Sequence, residues 1–207
     1  MNLLKDYGFR DLLNKYIYIE NREVLPILSN YFETPEEATG LLAYCYLEHE
    51  KGMSLEVLCC SSFNETAKSI KFYKTNDEAR IGLPYTAMLD SSVLILPDNI
   101  LPLEKFLAKV NPLLTLTNIS EGVEKSRKIV AMDHLRKPDN PDAVLVQLVH
   151  GDDHIEGHYV LLEDVGEINL TGTLLSEPEF AFGIHQGESL TFFLVRNEKG
   201  VMCLAML

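Results

Sequence analysis

The sequence predicts an α+β protein: a mixed N-terminal α/β domain followed by a small antiparallel β-rich domain. Three observations carry this. Apolar residues recur at helical spacing in parts of the first 120 residues. The last 66 residues read as short apolar runs separated by turn signals. The charge balance changes between the two regions: residues 1–137 carry 19 acids and 16 bases, whereas residues 138–207 carry 12 acids and 2 bases. A chain of 207 residues can bury enough surface to fold without metal or disulfide.

Taken in order, Leu4, Phe9, Leu12, Leu13 and Tyr16 predict a helix over Leu3 to Ile19, and a second short one falls near Val24–Phe32. Thr34-Pro35-Glu36-Glu37 is a helix N-terminus signal: a capping hydroxyl, proline at the first helical position, glutamate closing a capping box. Leu41–Glu50 either continues that helix or pairs with Met53–Cys60 across the Glu50-Lys51-Gly52 turn. Tyr44, Tyr46 and Val57 favour the hairpin. Ala67, Ile70 and Tyr73 predict a helix over Asn64–Lys74. Ser92–Leu96 reads as a strand ended by Pro97, and Leu103–Val110 as a helix ended by Asn111-Pro112.

A basic stretch (Lys125, Arg127, Lys128, Arg136, Lys137) leads into Pro138-Asp-Asn-Pro141, a turn or linker sequence. The expected domains are 1–120, a basic, proline-containing linker over 121–141, and an acidic β-rich domain over 142–207. Ala143–Val149, Tyr159–Leu162, Ile168–Leu175, Ser189–Val195 and Val201–Leu207 are the expected strands. They suggest a small antiparallel sheet or a partly closed barrel. The apolar final segment is expected to be a paired strand, and one reading makes it the seam of a dimer.

Net charge is −13. Phosphate contacts need Lys or Arg, so nucleic acid is an unsuitable partner, as is an anionic membrane surface. The longest uncharged run, Val110–Ser120, is 11 residues with an internal proline, too short to span a bilayer. Charges at Lys5, Asp6, Arg10 and Asp11 interrupt any signal-peptide core, so the expected location is cytoplasmic. Cys45, Cys59, Cys60 and Cys203 form no CxxC pair and read as reduced thiols.

The chemistry-bearing candidates are few. His150, His154 and His158 lie four residues apart, with Asp152, Asp153 and Glu156 between them. Gly151 and Gly157 break a helix there, but in a hairpin His150 and His158 could face each other, and imidazole with carboxylate suits zinc. His154-Ile-Glu156 lacks the later P-C-x-x-C of zinc deaminases, and the glycines rule out a zincin helix. No serine-hydrolase elbow or phosphate-binding glycine loop is present. Glu177 and Glu179 flank Pro178, with Phe180 and Phe182 beside them. Loop aromatics among acids can anchor a protein interface.

Gly172-Thr-Leu-Leu-Ser-Glu-Pro178 and Phe182-Gly-Ile-His-Gln-Gly-Glu-Ser-Leu-Thr-Phe192 resemble the YegJ-like bacterial domain of unknown function. Gly172, Leu174, Glu177, Pro178, Gly183, Gly187 and Glu188 take the family positions. Ser176 stands where the family has Asn, and the usual Asp-Trp ending is missing. The resemblance covers about 55 C-terminal residues and implies a β-rich fold and a bacterial source, with no established activity. Small domains of this kind also occur near bacterial toxin–immunity loci.

The sequence therefore reads as a non-enzymatic protein-interaction module, an immunity-type inhibitor or adaptor. It would bind a basic protein through Asp152, Asp153, Glu156, Glu177, Glu179 and Phe182, and needs no cofactor. The alternative is a metal-dependent enzyme, with zinc as the metal, centred on His150, His154 and His158.

Overall fold

The computed structural model describes residues 1–97, 103–116, 119–151, 154–198 and 200–207. The chain divides into two compact units, Met1–Asn118 and Ile119–Leu207. Both are built mainly of strand, so the molecule is β-rich, with two sheets and few helices. The helical content expected of the N-terminal region is largely replaced by sheet.

In the first unit the strands are β1 (Asn2–Leu3), β2 (Lys15–Glu20), β3 (Gly40–Glu48), β4 (Gly52–Asn64), β5 (Ser69–Phe72), β6 (Gly82–Pro84) and β7 (Ser92–Ile95). They form one antiparallel sheet in the order β1-β7-β2-β3-β4-β5, with β6 also on β4. The hairpin across Glu50-Lys51-Gly52 is formed, with Gly52 in the left-handed region. β3 is apolar without alternation because both its faces are covered. Leu41, Ala43, Cys45 and Leu47 enter one core layer; Leu42, Tyr44 and Tyr46 enter the other. A bulge leaves Leu58 without an opposite residue, and Cys59 and Cys60 then point to opposite layers. Burial pushes the Cys45 and Cys59 thiols up to about 12, so both stay protonated and unreactive.

Three expected helices are absent. Leu3–Ile19 holds only a single turn at Leu4–Asp6, the short α1 (Phe9–Leu12), and β2. The apolar residues from Tyr16 onward are needed in mid-sheet, which overrides their local spacing. Asn64–Lys74 is the end of β4, a turn with Lys68 in the left-handed region, and β5. No helix follows Thr34; the only one nearby is α2 (Leu25–Leu28), within the expected second helix.

The helix expected to stop at Asn111-Pro112 runs through it as α3 (Leu107–Leu116). Pro112 has no N–H for the Ala108 carbonyl four residues back. Arg80 supplies the missing donor: Nη2 donates to Ala108 O at 2.9 Å, and Nη1 donates to the next carbonyl, Lys109 O.

The second unit begins with α4 (Glu121–Arg127). Ser120 Oγ caps it, accepting from Val123 N–H at 3.2 Å. A turn of tighter helix follows at Val130–Leu135. The expected linker 121–141 is therefore folded. Arg127 makes a two-pronged ion pair with fully buried Asp142, at 2.8 and 2.6 Å. Buried Arg136 donates to Pro141 O at 2.6 Å, to Ser126 O, and to Asp133 at 3.1 Å. Arg127 and Arg136 are thus tied into the unit, while Lys125 and Lys128 pair with Glu121 and Glu124 on the exposed side of α4. Gly122 fits because α4 runs against the backbone of residue 164: a Cβ there would lie 2.6 Å from Asp164 Cα.

The remaining strands, β8 (Ala143–His150), β9 (His154–Val165), β10 (Leu170–Leu174), β11 (Ser189–Asn197) and β12 (Gly200–Met206), form a closed barrel. Of the two expected forms, a small antiparallel sheet or a partly closed barrel, the structure has a barrel, fully closed and with one parallel pair in place of all-antiparallel pairing. Successive strands of this meander alternate in direction, so the first and fifth point the same way, and β8 and β12 close the barrel as a parallel pair. Val144, Val146, Leu148, Val160, Leu162, Phe192, Cys203 and Ala205 fill its interior. β12 has a partner on each side, so the apolar C-terminal strand offers no free edge for a dimer seam.

Candidate functional site

The site lies at one end of the barrel, where β8 ends, β9 begins, and the segment 175–188 passes from β10 to β11. Side chains alternate along β9, so Glu156 and His158 share the face of Val160 and Leu162, which line the interior. Toward the barrel mouth the same face becomes polar.

Glu156 organises the mouth. Its Oε2 accepts from Glu179 N–H at 2.9 Å and its Oε1 from Phe180 N–H at 2.8 Å. Oε2 also meets His158 Nε2 at 3.0 Å. The His158 hydrogen bond, together with those two backbone N–H groups, holds the Glu156 carboxyl below the usual carboxylate range. The opposite ring nitrogen, His158 Nδ1, lies 2.8 Å from Ser176 Oγ. Ser176, His158 and Glu156 thus form one continuous hydrogen-bonded row.

A second anchor lies farther along the segment. Glu177 accepts from Gln186 N–H at 2.8 Å and meets His185 Nδ1 at 2.7 Å. The contact with His185, then Gln186 N–H, lowers the Glu177 carboxyl; the same contact raises His185 above its ordinary value. Aromatic rings line the mouth as well. His154 stacks on Phe180 with centroids 3.9 Å apart and planes 13° apart, and Phe180 meets Phe182 edge-on at 5.1 Å.

Searches of protein-family models, of curated proteins and of solved structures return no match to this chain.

The structure redistributes the expected interface. Glu156 and Glu177 tie the 175–188 segment together. Phe182 is 5% exposed and packs in the barrel core, so it is no surface anchor. Glu179 is exposed, and its side chain has no partner among the described residues. Asp152 and Asp153 lie outside the described residues.

The histidines do not converge. His150 pairs across the hairpin with His154, whereas His158 lies opposite Val146, so the expected facing of His150 and His158 is not formed. His150 Nδ1 meets Leu207 O at 2.9 Å, His154 stacks on Phe180, and His158 has both nitrogens engaged. Among the described residues, no group of three His, Cys, Asp or Glu could hold a metal ion. Nor, among them, is any helix long and apolar enough to cross a membrane.

Two features have no signal in local sequence spacing. Ser176 is one: the fold brings it to His158, 18 positions away in the chain. The other is a charge cluster inside the first unit. Lys109 is fully buried, its Nζ donating to Val57 O at 2.9 Å and Ala79 O at 2.7 Å, 4.6 Å above the Phe32 ring. Glu56 Oε1 lies 4.0 Å from that ammonium and 3.5 Å from Arg80, yet has no hydrogen bond. Burial raises Glu56 and lowers Lys109, each against the pull of the other. Enclosed in this way, the cluster joins α3 to the sheet.

Proposed function

We propose that this chain is a protein-interaction module, an immunity-type inhibitor or adaptor working in the cytoplasm, and that its barrel unit receives a basic protein at the mouth. One observation carries the reading: the separation of the unit's charges. Residues 119–207 hold fifteen acids and seven bases. Among the described residues, the ion pairs made by the unit's lysines and arginines all fall within 121–142. The mouth acids Glu156 and Glu177 pair only with histidine, and Glu179 and Glu188 add exposed negative charge beside them. An acidic surface whose segments, 150–158 and 175–188, hold no Lys or Arg attracts a basic partner and speeds encounter.

The test is capture of a basic protein from extract of the source cells at low salt, with the captured protein then identified and purified. Glu179→Lys should weaken its binding at least several-fold, and Glu167→Lys at the opposite end of the barrel should not. Equal binding by both variants would contradict the proposal.

A further inference from the structure

We infer that Ser176 is an activated nucleophile, with His158 as its general base and Glu156 as the positioning residue. The argument starts from the proton on the imidazole. Glu156 is held ionised, and an ionised carboxylate only accepts hydrogen bonds. His158 Nε2, 3.0 Å away, must therefore carry the hydrogen. In its neutral form the ring has one N–H, and Nδ1 is then a bare lone pair. The group 2.8 Å from that lone pair is the Ser176 hydroxyl, which must donate to it. The row therefore runs Ser176 O–H to Nδ1, and Nε2–H to carboxylate. This is the proton arrangement in which a histidine can take a serine's proton as the serine attacks.

The surroundings fit that role. Ser176 is exposed on the 175–188 segment, while the His158 ring is almost enclosed, 11% exposed. Glu156 is fixed from two further sides by Glu179 and Phe180 N–H, so the base cannot swing away. The N–H of Glu177, next after Ser176, makes no hydrogen bond among the described residues and is the available donor for a developing oxyanion. With a single such donor, turnover should be slow, since each missing donor costs roughly a hundredfold or more.

The substrate class is a carboxylic ester with a neutral or cationic leaving alcohol; Glu177 and Glu179 beside the serine repel anions. In the first step Ser176 Oγ bonds to the ester carbonyl carbon and its proton passes to His158 Nδ1. The carbon–alkoxide bond then breaks, and the alkoxide leaves as the alcohol with that proton. Water, giving a proton to Nδ1, attacks the acyl-serine. The acid departs and Ser176 recovers its proton, for a net ester plus water giving acid plus alcohol.

This inference goes beyond the interaction reading and is separable from it: labelling needs no partner, and capture needs no serine. The test treats the full-length protein with a fluorophosphonate probe and maps the adduct by peptide mass spectrometry. One adduct is expected, on Ser176, formed as the Oγ–P bond replaces P–F and hydrogen fluoride is lost. Ser176→Ala should abolish it. Glu156→Gln should slow it at least tenfold, because an amide can donate to Nε2 and so favours the tautomer with hydrogen on Nδ1. A purely anchoring Ser176–His158 contact gives no adduct. Absence of a Ser176 adduct in the wild-type protein, or an adduct that persists in Ser176→Ala, overturns the inference, and the first of these requires no variant to fold.

Discussion

Arg80 donates to the Ala108 carbonyl that Pro112 leaves without a partner. A residue between β5 and β6 thereby completes a helix nearly 30 positions later and lets a proline sit inside it. Arg80→Ala should destabilise the protein by about 2 kcal/mol, the scale of hydrogen bonds from a charged donor. Restoring the N–H with Pro112→Ala should reduce that loss. A double-mutant cycle in urea checks both; simple additivity would separate the two residues.

The buried Glu56–Lys109 pair predicts an asymmetry. Lys109→Ala leaves a buried carboxylate and should cost about 3–5 kcal/mol. Glu56→Gln keeps the shape and leaves the Lys109 ammonium its two carbonyl acceptors, Val57 O and Ala79 O, so it should cost much less. Chemical denaturation of the two variants decides this; equal losses would contradict it.

The Arg127–Asp142 fork holds α4 to the barrel. Asp142→Asn should lose about 3 kcal/mol and raise hydrogen exchange first in Glu121–Arg127. Exchange that rises evenly through the unit would argue against α4 as the attached element.

The sequence made some of this legible and hid the rest for physical reasons. The Glu50-Lys51-Gly52 hairpin and the last five strands were readable because turn chemistry and apolar runs are local. Apolar spacing over Leu3–Ile19 suggests a helix, but β2 joins the middle of a sheet whose partners lie up to 78 residues away. Ala67, Ile70 and Tyr73 have helical spacing, yet β5 is held by β4, and pairing overrides a three-residue coincidence. At the mouth, the acids were visible but their partners were not. Glu156 is engaged by backbone N–H groups 23 and 24 residues later, a relation that no spacing rule encodes. Phe182 looked like a loop aromatic, because only barrel closure shows that the segment dips into the core.

The His185–Glu177 contact gives a pH window. His185 is raised, so its contribution is complete below about 6.5 and fades as pH climbs through its folded value. Glu177 is lowered, so its contribution is complete above about 4.5 and fades as pH falls through its folded value. The 175–188 segment should therefore be best held between those limits. NMR titration should place His185 above a free histidine, with Glu177→Gln returning it to the ordinary range. An unchanged titration in that variant would exclude the contact.

The central claim, an acidic barrel mouth that steers a basic partner, is tested most directly by the association rate of the captured protein as ionic strength changes. The wild-type rate should fall by about tenfold or more between low and high salt, and Glu179→Lys should be slower at low salt and converge with wild type at high salt. A rate that is flat in salt, or unaffected by Glu179→Lys, would contradict it.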